Sequence, residues 1–235
     1  MGDKLYIVMP TYNEETNIKT VVEEWYPILE YADEGSKIVI ADGGSKDKTL
    51  EILFELKELY PKLEVISKPG TDHGTKVIWL YKYSIENEAD WIFQTDSDGQ
   101  TKASEFISFW KIRKEYDAIL GNRTRRGDGL GRKLVEDVLR IYLKIFFGTF
   151  VPDANAPFRL MKASLVRKYI YDIPDNFYLP NAILAACFSK YREKVIYKVV
   201  TFMPRQGGKN YMNLKRIMKI GIDSLKDFWY LKKII

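Results

Sequence analysis

The chain has 235 residues, of which 46% are hydrophobic, enough to bury the core of one domain or at most two. Its formal net charge of +5 is a mild excess that suits anionic ligands or a membrane surface and does not indicate nucleic acid. A single cysteine and a single histidine exclude an intramolecular disulfide, a cysteine-built zinc site and a multi-histidine metal cage, so metal chemistry must rest on carboxylates.

Short apolar runs alternate with amphipathic stretches through the first half of the chain. The runs that we predict as strands are 5–9, 37–41, 63–67, 91–94 and 118–120. The helical patterns between them fall near 15–31, 47–60, 75–86 and 104–114. This repeat predicts an α/β fold with a mostly parallel sheet covered on both faces. Ligands of such sheets bind beyond the carboxyl ends of the strands.

The second half is less regular. We predict a helix over Arg132–Phe147, a loop over Val151–Pro157, a strand over Val195–Phe202 and a basic amphipathic helix from about Asn213 to the end. The charged residues of the first of these helices leave an unusually wide apolar face.

Two carboxylates follow the apolar run at 91–94, where the chain turns. Asp96 and Asp98 have an i, i+2 spacing that suits Mg²⁺ or Mn²⁺, since such hard cations take one or two carboxylates, water and substrate phosphate oxygens. Gln100 adds a possible ligand or phosphate contact. Because Asp is common in turns, the motif taken alone is equally compatible with a plain turn.

Asp42 ends the second strand and is followed by Gly43 and Gly44. A carboxylate there can accept an N–H of a nucleotide base while the glycine backbone lets the ligand approach closely. The alternative is turn chemistry before a capped helix. Because Ser45 or Asp47 can cap that helix, ligand contact is the favoured role of Asp42.

The segment Pro10–Glu14 closes the first strand. Asn13 is well placed to cap the next helix, and a helix N-terminus favours an anion or a polar ring nearby. In isolation this segment is an ordinary strand-to-helix turn.

In this order, the three clusters resemble those of the family-2 inverting glycosyltransferases of the GT-A fold, over nearly the whole chain. The resemblance implies a nucleoside pocket lined by Pro10, Tyr12, Glu14 and Asp42. It also implies that Mg²⁺ or Mn²⁺ and the donor diphosphate are held by Asp96, Asp98 and Gln100. A nucleotidyltransferase, the nearest competitor in fold, is disfavoured.

Motifs of the second half resemble the subset that includes dolichyl-phosphate mannose synthases and bacterial polyprenyl-phosphate glycosyltransferases. These motifs are 121–123, 125–126, Arg132, 153–160 and 204–209. The resemblance implies that Arg123 and Arg205 act with Asp98 at the reacting centre. It implies an acceptor site formed by Arg126, Arg132, Arg159 and Lys209. Guanidinium groups suit phosphate oxygens, although a solvated surface role is the alternative for any single arginine.

Two details bear on the acceptor. Mannose synthase relatives usually carry a serine where this chain has Glu136, which weakens the resemblance there. Relatives that glycosylate hydroxyl groups carry an acidic pair in the region matching Tyr178–Asn181, and this chain has none. A phosphate acceptor is already an anion and needs no strong base. If the alignment is shifted, Asp153 or Asp175 remains an alternative base.

The sequence therefore predicts one GT-A domain over 1–235, with a nucleotide-sugar-binding half (1–122) and an acceptor-binding half (123–235). We expect metal-dependent inverting transfer of a sugar from a UDP- or GDP-sugar to a polyprenyl or dolichyl phosphate. The alternatives are transfer to a sugar hydroxyl in polysaccharide or glycan assembly, and a non-catalytic nucleotide-sugar-binding module. The intact carboxylates disfavour the last of these.

The helices of the second half predict a peripheral protein at the cytoplasmic face of a membrane. No run reaches the about 18 apolar residues needed to span a bilayer, and the N-terminus resembles a strand, not a signal peptide. The wide apolar face of 132–147 and the basic terminal helix with Trp229 and Tyr230 suit an interface. In the alternative, both faces pack against the sheet or in a homodimer.

Overall fold

Seven strands form one mixed sheet in the computed structural model of the protein, which describes residues 2–67, 72–123, 130–204 and 227–232 but not the side chains of 130–135. The strands are β1 (Leu5–Thr11), β2 (Lys37–Asp42), β3 (Leu63–Ser67), β4 (Trp91–Thr95), β5 (Ala118–Asn122), β6 (Phe158–Lys162) and β7 (Val195–Val199). Their order is β3-β2-β1-β4-β6-β5-β7. All neighbours are parallel except β6, which is antiparallel to β4 and to β5. The predicted mostly parallel sheet is confirmed.

Helices cover both faces of the sheet, as predicted. They are α1 (Ile18–Trp25), α2 (Thr49–Leu59), α3 (His73–Glu86), α4 (Phe106–Trp110), α5 (Leu130–Phe147), α6 (Ala163–Ile170) and α7 (Pro180–Lys190). The buried hydrophobic residues of α1, α2 and α4 belong to one core. Those of α3, α5, α6 and α7 belong to a second core on the other face.

Two predicted helices are shorter than their amphipathic patterns. The stretch near 15–31 is α-helical only in α1, and a 3₁₀ turn follows at Tyr26–Tyr31. Pro27 lies near the start of that turn and lacks the N–H that a continued α-helix needs. The stretch near 104–114 is likewise divided, with the five-residue α4 between two 3₁₀ turns.

The sequence did not predict β6. Its run Phe-Arg-Leu-Met-Lys is short and is interrupted by Arg159, so it lacks the continuous apolar character of the other central strands. Because β6 lies between β4 and β5, it brings the second half of the chain into the middle of the sheet.

The wide apolar face of α5 is partly buried. Leu139 and Leu143 join the second core, where Phe228 of the helical segment 227–232 also packs. On the same helix Ile141 and Ile145 are exposed. Within the described ranges, none of the helices combines the length and the hydropathy needed to cross a bilayer.

Candidate active site

The three polar clusters lie at one edge of the sheet, because β2, β1 and β4 are neighbours and parallel. Ser97 links two of these clusters directly. Its hydroxyl donates to the Pro10 carbonyl at 3.0 Å and lies 2.9 Å from the Thr11 hydroxyl. The three clusters therefore lie beyond the carboxyl ends of the strands, as the sequence predicts.

Asp42 is fully buried and forms the turn that follows β2. Its Oδ2 accepts the backbone N–H groups of Gly44 at 2.8 Å and Ser45 at 3.0 Å, and the Ser45 hydroxyl donates to its Oδ1. Turn chemistry, the alternative weighed for Asp42, thus occupies both oxygens. Each carboxylate oxygen has two lone pairs, so the turn uses both of those on Oδ2 and leaves one on Oδ1.

The segment after β1 is held by the turn after β2. Asn13 is in the left-handed region (φ 55°), and its Oδ1 accepts the Lys46 N–H at 2.7 Å. The prediction that Asn13 caps the next helix is wrong, because α1 begins four residues later, after Asn17. Glu14 is buried and accepts from the Asn17 side chain at 2.8 Å.

Asp96 and Asp98 follow β4, and a protein contact holds one oxygen of each. Asp96 Oδ1 accepts from Gln94 Nε2 at 3.2 Å, and Asp98 Oδ1 accepts the Gln100 N–H at 3.1 Å. The Gln100 side chain donates its Nε2 to the Met203 carbonyl at 2.7 Å, leaving its Oε1 as the atom that could face a cation.

These donors fit Mg²⁺ or Mn²⁺ bound together with a substrate. In the part of the chain that the structure describes, no three His, Cys, Asp or Glu side chains are grouped so as to hold a metal ion. Mg²⁺ usually takes only one or two carboxylates and completes its shell with water and phosphate oxygens. The residues present therefore suit a cation that arrives with a diphosphate.

A chain of hydrogen bonds between buried side chains ends at Asp96. The Tyr81 hydroxyl donates to Asn181 Oδ1 at 2.7 Å, and Asn181 Nδ2 donates to Gln94 Oε1 at 2.9 Å. Gln94 in turn donates to Asp96. Because an ionised carboxylate only accepts, both amides must point their NH₂ groups toward it, and the chain runs in one direction. It fixes the orientation of Asp96.

His73 lies at the same carboxylate, which its sequence context did not predict. A lone histidine in a loop favours a surface position, and the His73 side chain is 51% exposed. It also opens α3, and its Nε2 is 3.1 Å from Asp96 Oδ1. Close packing sets the path of α3, since a Cβ on Gly74 would lie 2.4 Å from the Phe177 carbonyl oxygen.

Lys76 is a second residue that sequence reasoning missed. It is only 3% exposed, and its Nζ donates to the Thr11 carbonyl at 2.7 Å. Burial lowers the pKa of this ammonium from 10.5 to about 8, although the negative charges of Asp42, Asp72 and Asp96 act in the opposite direction. No apolar or motif signal distinguishes it from the other lysines.

Arg123 follows β5 and forms a buried ion pair with Asp153. Its Nε and one terminal nitrogen are each 2.8 Å from a different oxygen of that carboxylate, and its backbone N–H donates at 3.2 Å. Burial alone would lower the pKa of this guanidinium, but the hydrogen bonds and charge of Asp153 raise it. Asp153 is thus engaged, which disfavours it as a free base.

Arg159, predicted to bind the acceptor, is fully buried in β6 instead. Its three nitrogens donate to the carbonyls of Ala156 at 2.9 Å, Asn181 at 2.8 Å and Ala154 at 2.5 Å. The guanidinium therefore holds backbone segments together and does not face an acceptor. Four predicted side chains lie outside the described ones: Arg126, Arg132, Arg205 and Lys209.

The open, mostly parallel sheet with an acidic turn after its central strand defines a GT-A fold. The model of glycosyl transferase family 2 matches residues 6–173. The chain belongs to that family, and it is a glycosyltransferase.

Two curated relatives have names that specify a lipid phosphate. An undecaprenyl-phosphate 4-deoxy-4-formamido-L-arabinose transferase of Photorhabdus laumondii is 23% identical over 224 residues, or 94% of this chain and 67% of the relative. A dolichyl-phosphate beta-glucosyltransferase of Trichomonas vaginalis is 30% identical over 107 residues, or 43% of this chain and 32% of the relative. The chain thus spans about two thirds or less of the length of these relatives.

Among solved structures, the glucosyl-3-phosphoglycerate synthase of Mycobacterium tuberculosis in complex with UDP has a TM-score of 0.66 at 16% identity, covering 98% of this chain and 80% of its own. The same synthase with Mn²⁺ and UDP-glucose has a TM-score of 0.64 at 17% identity, covering 95% and 77%. At these identities the likeness shows the fold.

Proposed function

We propose that this glycosyltransferase moves a sugar, with inversion, from a nucleotide diphosphate donor to a polyprenyl phosphate in a metal-dependent reaction. The observation that supports a phosphate acceptor is the composition of the segment beside Asp96 and Asp98, the proposed metal ligands. Asn181 bonds to Gln94, two residues before Asp96, and Tyr178–Asn181 contains no acidic residue. A site without a base at that position suits an acceptor that is already ionised.

The other carboxylates considered as bases are poorly suited to that role. Asp153 is 1% exposed and is paired with Arg123. The side chain of Asp175 is 80% exposed, and it pairs with Lys82 on the surface. The lipid-phosphate names of the curated relatives agree with an acceptor that needs no base.

On the donor side, Pro10, Tyr12, Glu14 and Asp42 would line the nucleoside pocket, with UDP- and GDP-sugars as candidate donors. The solved synthase binds UDP on this fold. Asp96, Asp98 and Gln100 would hold Mg²⁺ or Mn²⁺, which supplies positive charge where the departing diphosphate develops negative charge. Asp98 would contact the cation directly. Gln94 and His73 contact Asp96 and orient its carboxylate.

The acceptor half of the site rests on residues that the structure describes only in part. Arg123 lies at the end of β5 with one side chain nitrogen not used by Asp153, and it stays in the proposal as a phosphate contact. Arg126, Arg132, Arg205 and Lys209 remain predicted contacts. The division into a donor half (1–122) and an acceptor half (123–235) of one domain also remains a prediction.

The direct test is synthesis of a glycolipid from purified protein, Mn²⁺ or Mg²⁺, a panel of nucleotide sugars and a short polyprenyl phosphate. We expect Asp98→Asn and EDTA each to remove most turnover, because the departing diphosphate loses its counter-charge. The matched control is Asp175→Asn, which changes an exposed carboxylate outside the proposed site. Turnover by Asp98→Asn at a rate near that of the wild type would contradict the metal assignment.

We further propose that the protein works at the cytoplasmic face of a membrane. Exposed apolar side chains occur on α5, just after it and in the segment 227–232: Ile141, Ile145, Phe150, Trp229 and Tyr230. Such residues favour an interface with lipid. The competing arrangement is a homodimer that buries the same side chains.

Liposome flotation separates these arrangements. We expect the protein to float with anionic vesicles at low salt and to be released at high salt, and Ile145→Glu to weaken flotation. Leu59→Glu, at an exposed position on α2, is the control. A wild-type protein that stays in the soluble fraction under both conditions and sediments as a dimer would contradict membrane binding.

A further inference from the structure

The crossing segment, residues 200–203, leads from the end of β7 past β5 to the turn that follows β4. At its start the Val200 N–H donates to the Asn122 carbonyl at 3.1 Å, where β5 ends. At its end the Met203 N–H donates to the Gln100 carbonyl at 2.8 Å, and Gln100 Nε2 donates to the Met203 carbonyl at 2.7 Å. The crossing segment is therefore bound at both ends to parts of the proposed active site.

Two more contacts hold the crossing segment in place. The Thr201 N–H lies 3.0 Å and 3.2 Å from the two carboxylate oxygens of Glu105. Gly121 allows a close approach at the start of the segment, since a Cβ on that glycine would lie 3.0 Å from a methyl group of Val200. Val200 is buried in the core that contains α1, α2 and α4. The path of the segment is thus set by packing as well as by hydrogen bonds.

Phe202, in the middle of the crossing segment, packs against Arg123. Its ring centre is 5.1 Å from the guanidinium carbon, within the range of a cation–π contact. Asp153 binds Nε and one terminal nitrogen of the same guanidinium, each at 2.8 Å. A bidentate carboxylate fixes one edge of a guanidinium, and a ring packed against it restricts the tilt of its plane. The two contacts together hold Arg123 in one orientation.

Gln100 connects the crossing segment to the proposed cation site. Its backbone N–H donates to Asp98 Oδ1 at 3.1 Å, while its side chain and its carbonyl bind Met203. The crossing segment therefore joins a proposed cation ligand to a proposed phosphate contact through residues that touch one another. The series, in order, is Asp98, Gln100, Met203, Phe202 and Arg123.

We propose that the crossing segment holds Arg123 in register with the cation site, with Phe202 as the positioning residue, so that the guanidinium meets the acceptor phosphate at the correct distance from the donor. A misplacement of about 1 Å between reacting groups can cost about 100-fold in rate. Hydrogen bonds from a guanidinium to phosphate are directional, so its orientation decides where the acceptor is held. The inference rests on the proposed function, because it assumes that Arg123 binds the acceptor.

The test compares the acceptor kinetics of Phe202→Leu with its binding of Mn²⁺ and nucleotide. The substitution keeps an apolar side chain but removes the ring from the guanidinium. We expect kcat/KM for a short polyprenyl phosphate to fall by about 3-fold to 30-fold, the scale of a partly buried cation–π contact. The Mn²⁺ affinity, measured by electron paramagnetic resonance, and the UDP and GDP affinities, measured by calorimetry, should stay within about twofold of the wild type.

Four further variants accompany Phe202→Leu. Phe202→Tyr keeps an aromatic face and should hold kcat/KM within about threefold of the wild type. Glu105→Ala removes the acceptor of the Thr201 N–H and should lower kcat/KM for the polyprenyl phosphate while Mn²⁺ affinity is unchanged. Glu105→Gln keeps an accepting oxygen and should lower it less. Phe54→Leu removes an exposed ring on α2 and should change nothing.

Thermal unfolding of each variant shows whether the fold is intact, and Glu105→Ala provides the same comparison if Phe202→Leu does not fold. Unchanged acceptor kinetics in either variant would overturn the inference, as would an equal loss in Phe202→Leu and Phe202→Tyr. A parallel loss of Mn²⁺ or nucleotide affinity would also overturn it, because the segment would then support the whole site. A wild type that makes no glycolipid from polyprenyl phosphate with any nucleotide sugar would instead refute the proposed function, and the inference with it.

Discussion

Replacing Asp153 by asparagine removes the negative charge of the buried pair with Arg123. The aspartate is 1% exposed and the arginine side chain 12% exposed, and two side-chain contacts of 2.8 Å join them. Removing one partner of such a pair leaves a buried charge uncompensated and typically costs about 3–5 kcal/mol. Against a total stability of about 5–15 kcal/mol, the shift in a urea unfolding curve followed by circular dichroism should be large.

The matched control is Asp175→Asn, because that surface pair with Lys82 should contribute about 1 kcal/mol or less. The double variant Arg123→Met, Asp153→Asn removes both charges, and its destabilisation should fall short of the sum of the single effects by about 1–3 kcal/mol. If Asp153→Asn unfolds within about 1 kcal/mol of the wild type and the effects of the two substitutions add, the buried pair does not stabilise the fold.

Two further predictions follow from buried polar groups. Because the pKa of Lys76 falls from 10.5 to about 8 on folding, Lys76→Met should raise the free energy of unfolding at pH 7 by up to about 3 kcal/mol. The gain is full below pH 8 and falls as the pH rises from 8 through 10.5, because above that pH the lysine is neutral in both states. A gain that is constant with pH, or a loss at pH 7, would contradict this. Gln94→Leu should weaken Mn²⁺ binding, measured by electron paramagnetic resonance, by about 10-fold to 100-fold, because it removes the amide that orients Asp96. Unchanged Mn²⁺ affinity in a folded variant would show that the hydrogen-bonded chain does not position that carboxylate.

The sequence predicted the location of the site because the geometry of parallel strands is general. Whatever follows β1, β2 and β4 must meet at one edge of the sheet, so the apolar runs were sufficient to bring Asp42 and Asp96 together. The pairing of side chains could not be predicted in this way. His73 and Lys76 reach the edge from α3, and the distance they cover depends on how closely Gly74 lets that helix pack.

Arg159 shows a different limit. In the sequence it is one of several arginines that suit phosphate, but the strand containing it is inserted antiparallel between β4 and β5. That position depends on long-range pairing, which a short and mixed run of residues does not signal. The arginine is consequently buried, and three backbone carbonyls satisfy it.

The central claim is that the acceptor is a lipid phosphate, and one comparison tests it most directly. The purified protein is given a labelled nucleotide sugar and either a polyprenyl phosphate or the polyprenol of the same length, and the lipid product is quantified. The absence of an acidic residue at Tyr178–Asn181 predicts product from the phosphate and none from the alcohol. Transfer to the polyprenol, or to a sugar hydroxyl with none to the phosphate, would contradict the account.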